Sequence, residues 1–251
     1  MKIICINSYQ ELLDLRSSCN QKFKNEVLFR GTSNPLTPSL VENCSYNTYQ
    51  DLAYKEFELL SEFDAYSTIT FKHKNDIPKD WEKRIAAREH GLASSLMDWS
   101  NNLEIATEFA IHNFEAKKID FTSIWFLIKK DLKQVNLEES TDIHFNDIDE
   151  PTIINYSLGA EYFKQGYSRR KFIQGGFFLK QSYFDNLKPL DINSFFDDKL
   201  IQIIITKSIV PKIWKSLSQV INLDEDPIPM KSSLDDICHQ ININTHKTFY
   251  K

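Results

Sequence analysis

Two short apolar runs do most to limit what this chain can become. Ser123–Ile128 (SIWFLI) and Leu200–Ile205 (LIQIII) carry no charge. Both are too short for a helix of ordinary length and too apolar for a half-wet strand, so each predicts a strand buried on both faces. The second, running on to Thr206, reads as a central strand. Helical patterns precede, separate and follow these runs. That order predicts one α+β domain over residues 1–251, with a central mixed or antiparallel sheet and flanking helices. At 251 residues and 41% hydrophobic content the chain can bury such a core.

The helices announce themselves by capping and by period. Ser8 and Glu11 fit a capping box ahead of Leu12, Leu13 and Leu15. Between Tyr49 and Tyr66, Leu52, Leu59, Leu60 and Phe63 recur at helical spacing beside Lys55, Glu56, Glu58 and Glu62. Pro78 opens a segment with Trp81 and Ile85 one turn apart, and Gly91 is placed to end it as a left-handed C-cap. Leu103–Phe114 is helix-like, and Pro211 starts a helix with Trp214, Leu217 and Ile221 on one side. Leu234, Ile237, Cys238 and Ile241 mark a last helix. Further strands are expected at Asn25–Arg30 and Phe172–Lys180, whereas Asp131–Pro151 reads as an irregular, acidic insertion.

Several function classes lose their support on composition. A formal charge of −5 gives no overall field for nucleic acid or anionic lipid. No apolar stretch approaches the ~18 residues of a membrane span and the start lacks a signal-peptide pattern, so a soluble, cytoplasmic protein is expected. Cys5, Cys19, Cys44 and Cys238 form no C-x-x-C pair, which argues against a disulfide frame or a zinc knuckle, and no metal is expected. Six glycines do not supply G-x-G-x-x-G or a P-loop, and H-E-x-x-H and G-x-S-x-G are missing.

Chemistry concentrates at two places. Arg30 stands at the end of an apolar strand and precedes Gly31, where a guanidinium is held rigid and backbone can approach a ligand closely. An isolated Arg-Gly of this kind also serves simply to close a strand through a carboxylate. The second place is Arg88–Ser100, REHGLASSLMDWS. There His90, Ser94, Ser95, Asp98 and Ser100 sit among Leu92, Leu96, Met97 and Trp99, the composition of a pocket wall. The same residues admit a plainer reading, with Ser100 or Asp98 capping the helix near Leu103 and His90 a turn residue.

These segments, taken together, resemble the FRG domain family. The resemblance rests on Phe29-Arg30-Gly31, Leu36-Thr37-Pro38-Ser39-Leu40, REHGLASSLMDWS, Ala106-Thr107-Glu108-Phe109-Ala110, Arg170 with Ile173-Gln174-Gly175-Gly176-Phe177, and the helix after Pro211. It extends from about Asn25 to Ile241. The family's motif is close to H-G-L-P-T-x-L-L-D-W-T, from which Ala93, Ser94 and Met97 depart conservatively. The aromatic-Arg-Gly strand is in turn similar to the first motif of ADP-ribosyltransferases, which implies a split sheet and NAD as substrate.

On that resemblance Arg30, Gly31, Thr32, Ser94, Trp99 and Arg170 are expected to bind NAD, and Arg30, Glu89, His90, Asp98 and Gln174 to carry the chemistry. Gln174 falls near the third motif, where a carboxylate is the usual group. An amide cannot act as general base, so Glu89, Asp98 or Glu161 would have to supply the acid. The resemblance implies an NAD-dependent enzyme modifying a macromolecular acceptor, protein or nucleic acid, in a bacterial or phage toxin and defence setting, with an antitoxin or regulatory partner and no membrane. The alternative is a non-catalytic module that binds a nucleotide or a protein through an Arg30/His90/Asp98 pocket.

Overall fold

A computed structural model of the chain describes residues 1–32, 35–67, 79–112, 114, 119–137, 139, 143–155, 176–185, 187–219, 238–239 and 241–243. In chain order the elements are β1 (Lys2–Ile6), α1 (Tyr9–Phe23), β2 (Val27–Thr32), α2 (Ser39–Asn43), α3 (Tyr49–Ser67), α4 (Lys79–Glu89), β3 (Met97–Trp99) and α5 (Leu103–Ile111). They continue with β4 (Phe121–Ile128), β5 (Lys133–Asn136), β6 (Thr152–Asn155), β7 (Phe177–Lys180), β8 (Leu200–Thr206) and α6 (Val210–Leu217).

The strands form two four-stranded mixed sheets, ordered β1-β8-β4-β2 and β3-β7-β6-β5. In the first, β1 runs parallel to β8, and β8/β4 and β4/β2 are antiparallel. In the second, β3/β7 and β7/β6 are antiparallel while β6/β5 is parallel. The α+β reading with flanking helices therefore stands, the strands being divided between two sheets. One antiparallel bridge joins their edges: the Phe29 N–H donates to the Ser100 carbonyl at 2.7 Å and the Ser100 N–H returns the bond at 2.8 Å.

Alternation of side chains along the strands builds three apolar layers. On one face of the first sheet, Phe29, Ile124, Phe126, Ile203 and Ile205 pack with Leu12 of α1, Ala106 and Ala110 of α5, and Ile213 and Leu217 of α6. On its other face Leu28, Trp125, Leu127 and Leu200 meet Trp99, Ile153 and Leu179 of the second sheet. Beyond that, Ile154 and Phe178 pack with Leu52, Leu59 and Phe63 of α3 and Trp81 and Ile85 of α4. Both faces of β4 are covered, which explains SIWFLI, and β8 does lie inside its sheet between β1 and β4.

Local signals hold where the chemistry is local. The Ser8 hydroxyl accepts the Glu11 N–H at 3.2 Å, while the Glu11 carboxylate accepts from Asn7, one residue further out than a standard capping box. Gly91 ends α4 with φ +88°, the left-handed conformation expected of it. Two expectations need correction. Asp131–Pro151 is not wholly irregular: it contains β5 and a 3-10 turn at Phe145–Asp147, because Val135 and Phe145 have apolar partners in the third layer. Of the expected side of α6, Leu217 is buried, Trp214 is 40% exposed and Ile221 lies outside the described residues, while Val210 and Ile213 join Leu217 on the buried side. Residues 172–175 of the expected strand, and Leu234 and Ile237 of the last helix, lie outside the described residues. None of the four cysteines is in a disulfide, and Cys44 and Cys238 are buried. Among the described residues no helix is long and apolar enough to cross a membrane.

Candidate functional site

The edge-to-edge bridge between the sheets brings the two sequence hot spots together. Where β2 passes β3, a cleft of about 300 Å³ opens. Its wall is made by Arg30 and Gly31 from β2, Arg88 and Glu89 from α4, Asp98 and Trp99 from β3, and Phe109 and Phe177. Arg30 is paired with Trp125 in the β2/β4 register.

Asp98 organises the charges. Its carboxylate accepts from Arg88 Nη2 at 2.6 Å, and Arg30 Nη1 lies 3.8 Å from the same oxygen while donating to the Asp98 backbone carbonyl at 2.5 Å. Two guanidiniums thus crowd one carboxylate. Burial pulls the pKa of Arg30 down, Asp98 opposes this, and the neighbouring charge of Arg88 adds to it. Glu42 of α2 feels the same pair: desolvation pushes its pKa up and Arg30 and Arg88 pull it back. Arg30 Nε, Arg88 Nε and Trp99 Nε1 are all buried N–H donors with no acceptor among the described residues. These atoms lie behind the cleft surface, out of contact with solvent.

Gly31 lines the cleft and is also packed tightly against the protein's own backbone. A β-carbon there would stand 1.8 Å from the Ala106 carbonyl oxygen and 2.6 Å from the Ala110 nitrogen. The close approach that glycine permits is to helix α5. That contact carries Ala106 and Phe109 to the cleft wall.

The structure divides the remaining expected residues. Arg30, Gly31, Glu89, Asp98 and Trp99 line the cleft. His90 is the turn residue between the lining residues Glu89 and Gly91, and is not itself part of the lining. Thr32 lies at the end of β2, where its carbonyl accepts from Thr122, also outside the lining. Ser94 faces the interior and donates to Glu56 at 2.8 Å. Arg170, Gln174 and Glu161 lie outside the described residues. The helix after Ser100 is capped by neither Ser100 nor Asp98: Asn102 accepts the Ile105 N–H at 3.1 Å, and Ser100 supports it by accepting the Asn102 N–H. Among the described residues no group of His, Cys, Asp or Glu is placed to hold a metal ion.

Two features escaped the sequence reading. Arg88 is the partner nearest to Asp98. Behind the turn after α4 lies a buried polar cluster, in which Glu56 takes the hydroxyls of Ser94 and Ser95, the Ser95 N–H at 2.7 Å and the Tyr183 hydroxyl. Arg84 stands 3.5 Å from Glu56, and Lys180 lies over the rings of Phe145 and Tyr183 at 4.6 and 4.3 Å.

Comparison with known families supplies one match. Residues 25–119 match the family model of the FRG domain, a stretch that runs from the start of β2 past α5 and contains Arg30, Gly31, Arg88, Glu89, Asp98 and Trp99. The part of the sequence resemblance that runs on to Ile241 lies beyond the match. Neither the curated proteins nor the solved structures contain a match to the chain.

Proposed function

We propose that this chain, which carries an FRG domain over residues 25–119, binds NAD in the β2/β3 cleft and transfers its ADP-ribosyl group to a macromolecular acceptor, in a toxin or defence setting. The observation that supports this most is the pair Arg30 and Arg88 on the carboxylate of Asp98. A pyrophosphate would add its negative oxygens to two guanidiniums that already face Asp98 and, at longer range, Glu42. Phe109, 40% exposed, and the half-buried Phe177 offer aromatic faces to a base or nicotinamide ring.

NAD contributes a nicotinamide–ribose bond whose cleavage leaves positive charge on the sugar. The chain's own contribution is to hold. Arg30 and Arg88 orient the phosphates. Glu89, on the cleft wall, supplies the fixed carboxylate that stabilises developing positive charge and accepts the acceptor's proton. Asp98, for its part, is held in the Arg88 ion pair.

The test combines calorimetry with NAD and an assay of nicotinamide release and label transfer, with and without cell lysate. Wild type is expected to bind and release nicotinamide, and Glu89→Gln to bind without turnover. Binding by wild type without release or transfer turns the cleft into a recognition module. Failure to bind NAD ends the reading altogether.

A further inference from the structure

The buried cluster around Glu56 and the cleft are joined by one chain of hydrogen bonds. Arg88 uses Nη2 for Asp98 and sends Nη1 to the Ser39 hydroxyl at 3.3 Å. That hydroxyl also accepts the Ser94 N–H at 3.1 Å and lies 3.3 Å from the Ser94 carbonyl, which takes the Leu40 N–H at 3.0 Å. Ser94 Oγ then donates to Glu56 Oε1 at 2.8 Å. Every link is a short-reach polar contact in or beside the core: Ser94 is 5% and Ser95 0% exposed, and Glu56 1%.

We infer that Glu56 and Ser39 are positioning residues for the cleft, fixing the Arg88 guanidinium so that its fork faces a bound phosphate. Glu56 does so at a distance. By accepting two hydroxyls and an N–H from Ser94 and Ser95 it holds the turn between α4 and β3 in one shape. The turn in turn fixes Ser39, at the start of α2, against Arg88. A lone arginine of this length has several rotamers, and losing that freedom beforehand raises affinity without any new contact to the ligand. Buried hydroxyls are costly unless satisfied, and here the satisfied set leads outward to the cleft and not only inward to the core.

The inference rests on the reading that Arg88 meets a phosphate, so its test uses inorganic pyrophosphate as well as NAD as probes. Titration calorimetry is run on wild type, Ser39→Ala, Ser39→Thr and Glu56→Gln, with melting curves for each. Ser39→Ala and Glu56→Gln are expected to weaken pyrophosphate about three- to tenfold, the loss of one modest hydrogen bond. Ser39→Thr, which keeps the hydroxyl, is expected to restore wild-type affinity. Nicotinamide release at saturating NAD should be unchanged in Ser39→Ala, the loss appearing in KM alone. Should Glu56→Gln fail to fold, the two Ser39 variants decide. Unchanged affinity in Ser39→Ala, or an equal loss in Ser39→Thr, overturns the positioning role while the site reading survives. A wild type that binds neither probe overturns both.

Discussion

The Cα of Gly31 lies so close to helix α5 that a β-carbon on it would sit 1.8 Å from the carbonyl oxygen of Ala106. Because the obstacle is backbone, no side-chain rotation relieves it. Strand β2 and helix α5 must then part, which disturbs the layer in which Phe29, Ala106 and Ala110 pack. Gly31→Ala is expected to destabilise the fold by about 3 kcal/mol, read as a lower urea midpoint. An unchanged midpoint would show that the strand and helix can slide apart freely.

Asp98 and Arg88 support an energetic prediction of their own. Their contact at 2.6 Å is well formed, yet the aspartate side chain is 37% exposed, so solvent screening reduces its worth. A double-mutant cycle of Asp98→Asn and Arg88→Ala is expected to give a coupling energy of about 1 kcal/mol. Asp98→Asn alone should cost more than the pair, because it also deprives Arg30 of its nearest carboxylate. Zero coupling would mean that the ion pair is incidental to the cleft.

Sequence legibility followed the range of the interaction. Capping at Ser8, the glycine stop at Gly91 and the double-sided burial of SIWFLI depend on neighbours or on simple pattern, and all could be read. The convergence of Arg30 with Asp98 depends on an edge contact between residues about seventy apart, Phe29 and Ser100, which no periodicity encodes. Only the resemblance to a family put those segments on one page. Glu56 was overlooked although a signal existed: it falls four residues after Leu52 and three before Leu59, on the buried stripe of α3. A carboxylate on such a stripe demands partners. Arg84 and Arg88, four apart on α4, likewise share a face, one reaching Glu56 and the other Asp98.

Lys180 yields a pH prediction. Its side chain is fully buried and burial lowers its pKa from 10.5 to about 8, with Glu56 opposing and Arg84 reinforcing the drop. Below pH 8 both native and unfolded chains hold the proton, and the native state bears the whole cost of the buried charge. Between about 8 and 10.5 the native lysine has lost it and the unfolded one has not, so this group makes stability rise with pH. Cys44, raised from 9.0 to about 11, works the other way above pH 9, as does Tyr183 above 10. Comparing wild type with Lys180→Met cancels both. The difference in unfolding free energy between them should narrow from pH 8 to 10, and a constant difference would refute the lysine's role.

Arg30 gives the sharpest prediction for the cleft. Its guanidinium is anchored by the Asp98 carbonyl through Nη1, and Nε is a buried donor with no acceptor among the described residues. If it takes a phosphate of NAD by charge-assisted bonds, Arg30→Ala should lose about 2–4 kcal/mol of binding, roughly 30- to 1000-fold in Kd. Arg30→Lys keeps the charge but not the planar fork, and cannot hold the Asp98 carbonyl and a phosphate in the same plane. Its loss should approach that of alanine, and melting curves should show that both variants remain folded at the assay temperature. A lysine variant that binds as tightly as wild type would reduce Arg30 to a diffuse positive charge, and the case for a geometrically specific phosphate site at the end of β2 would be lost.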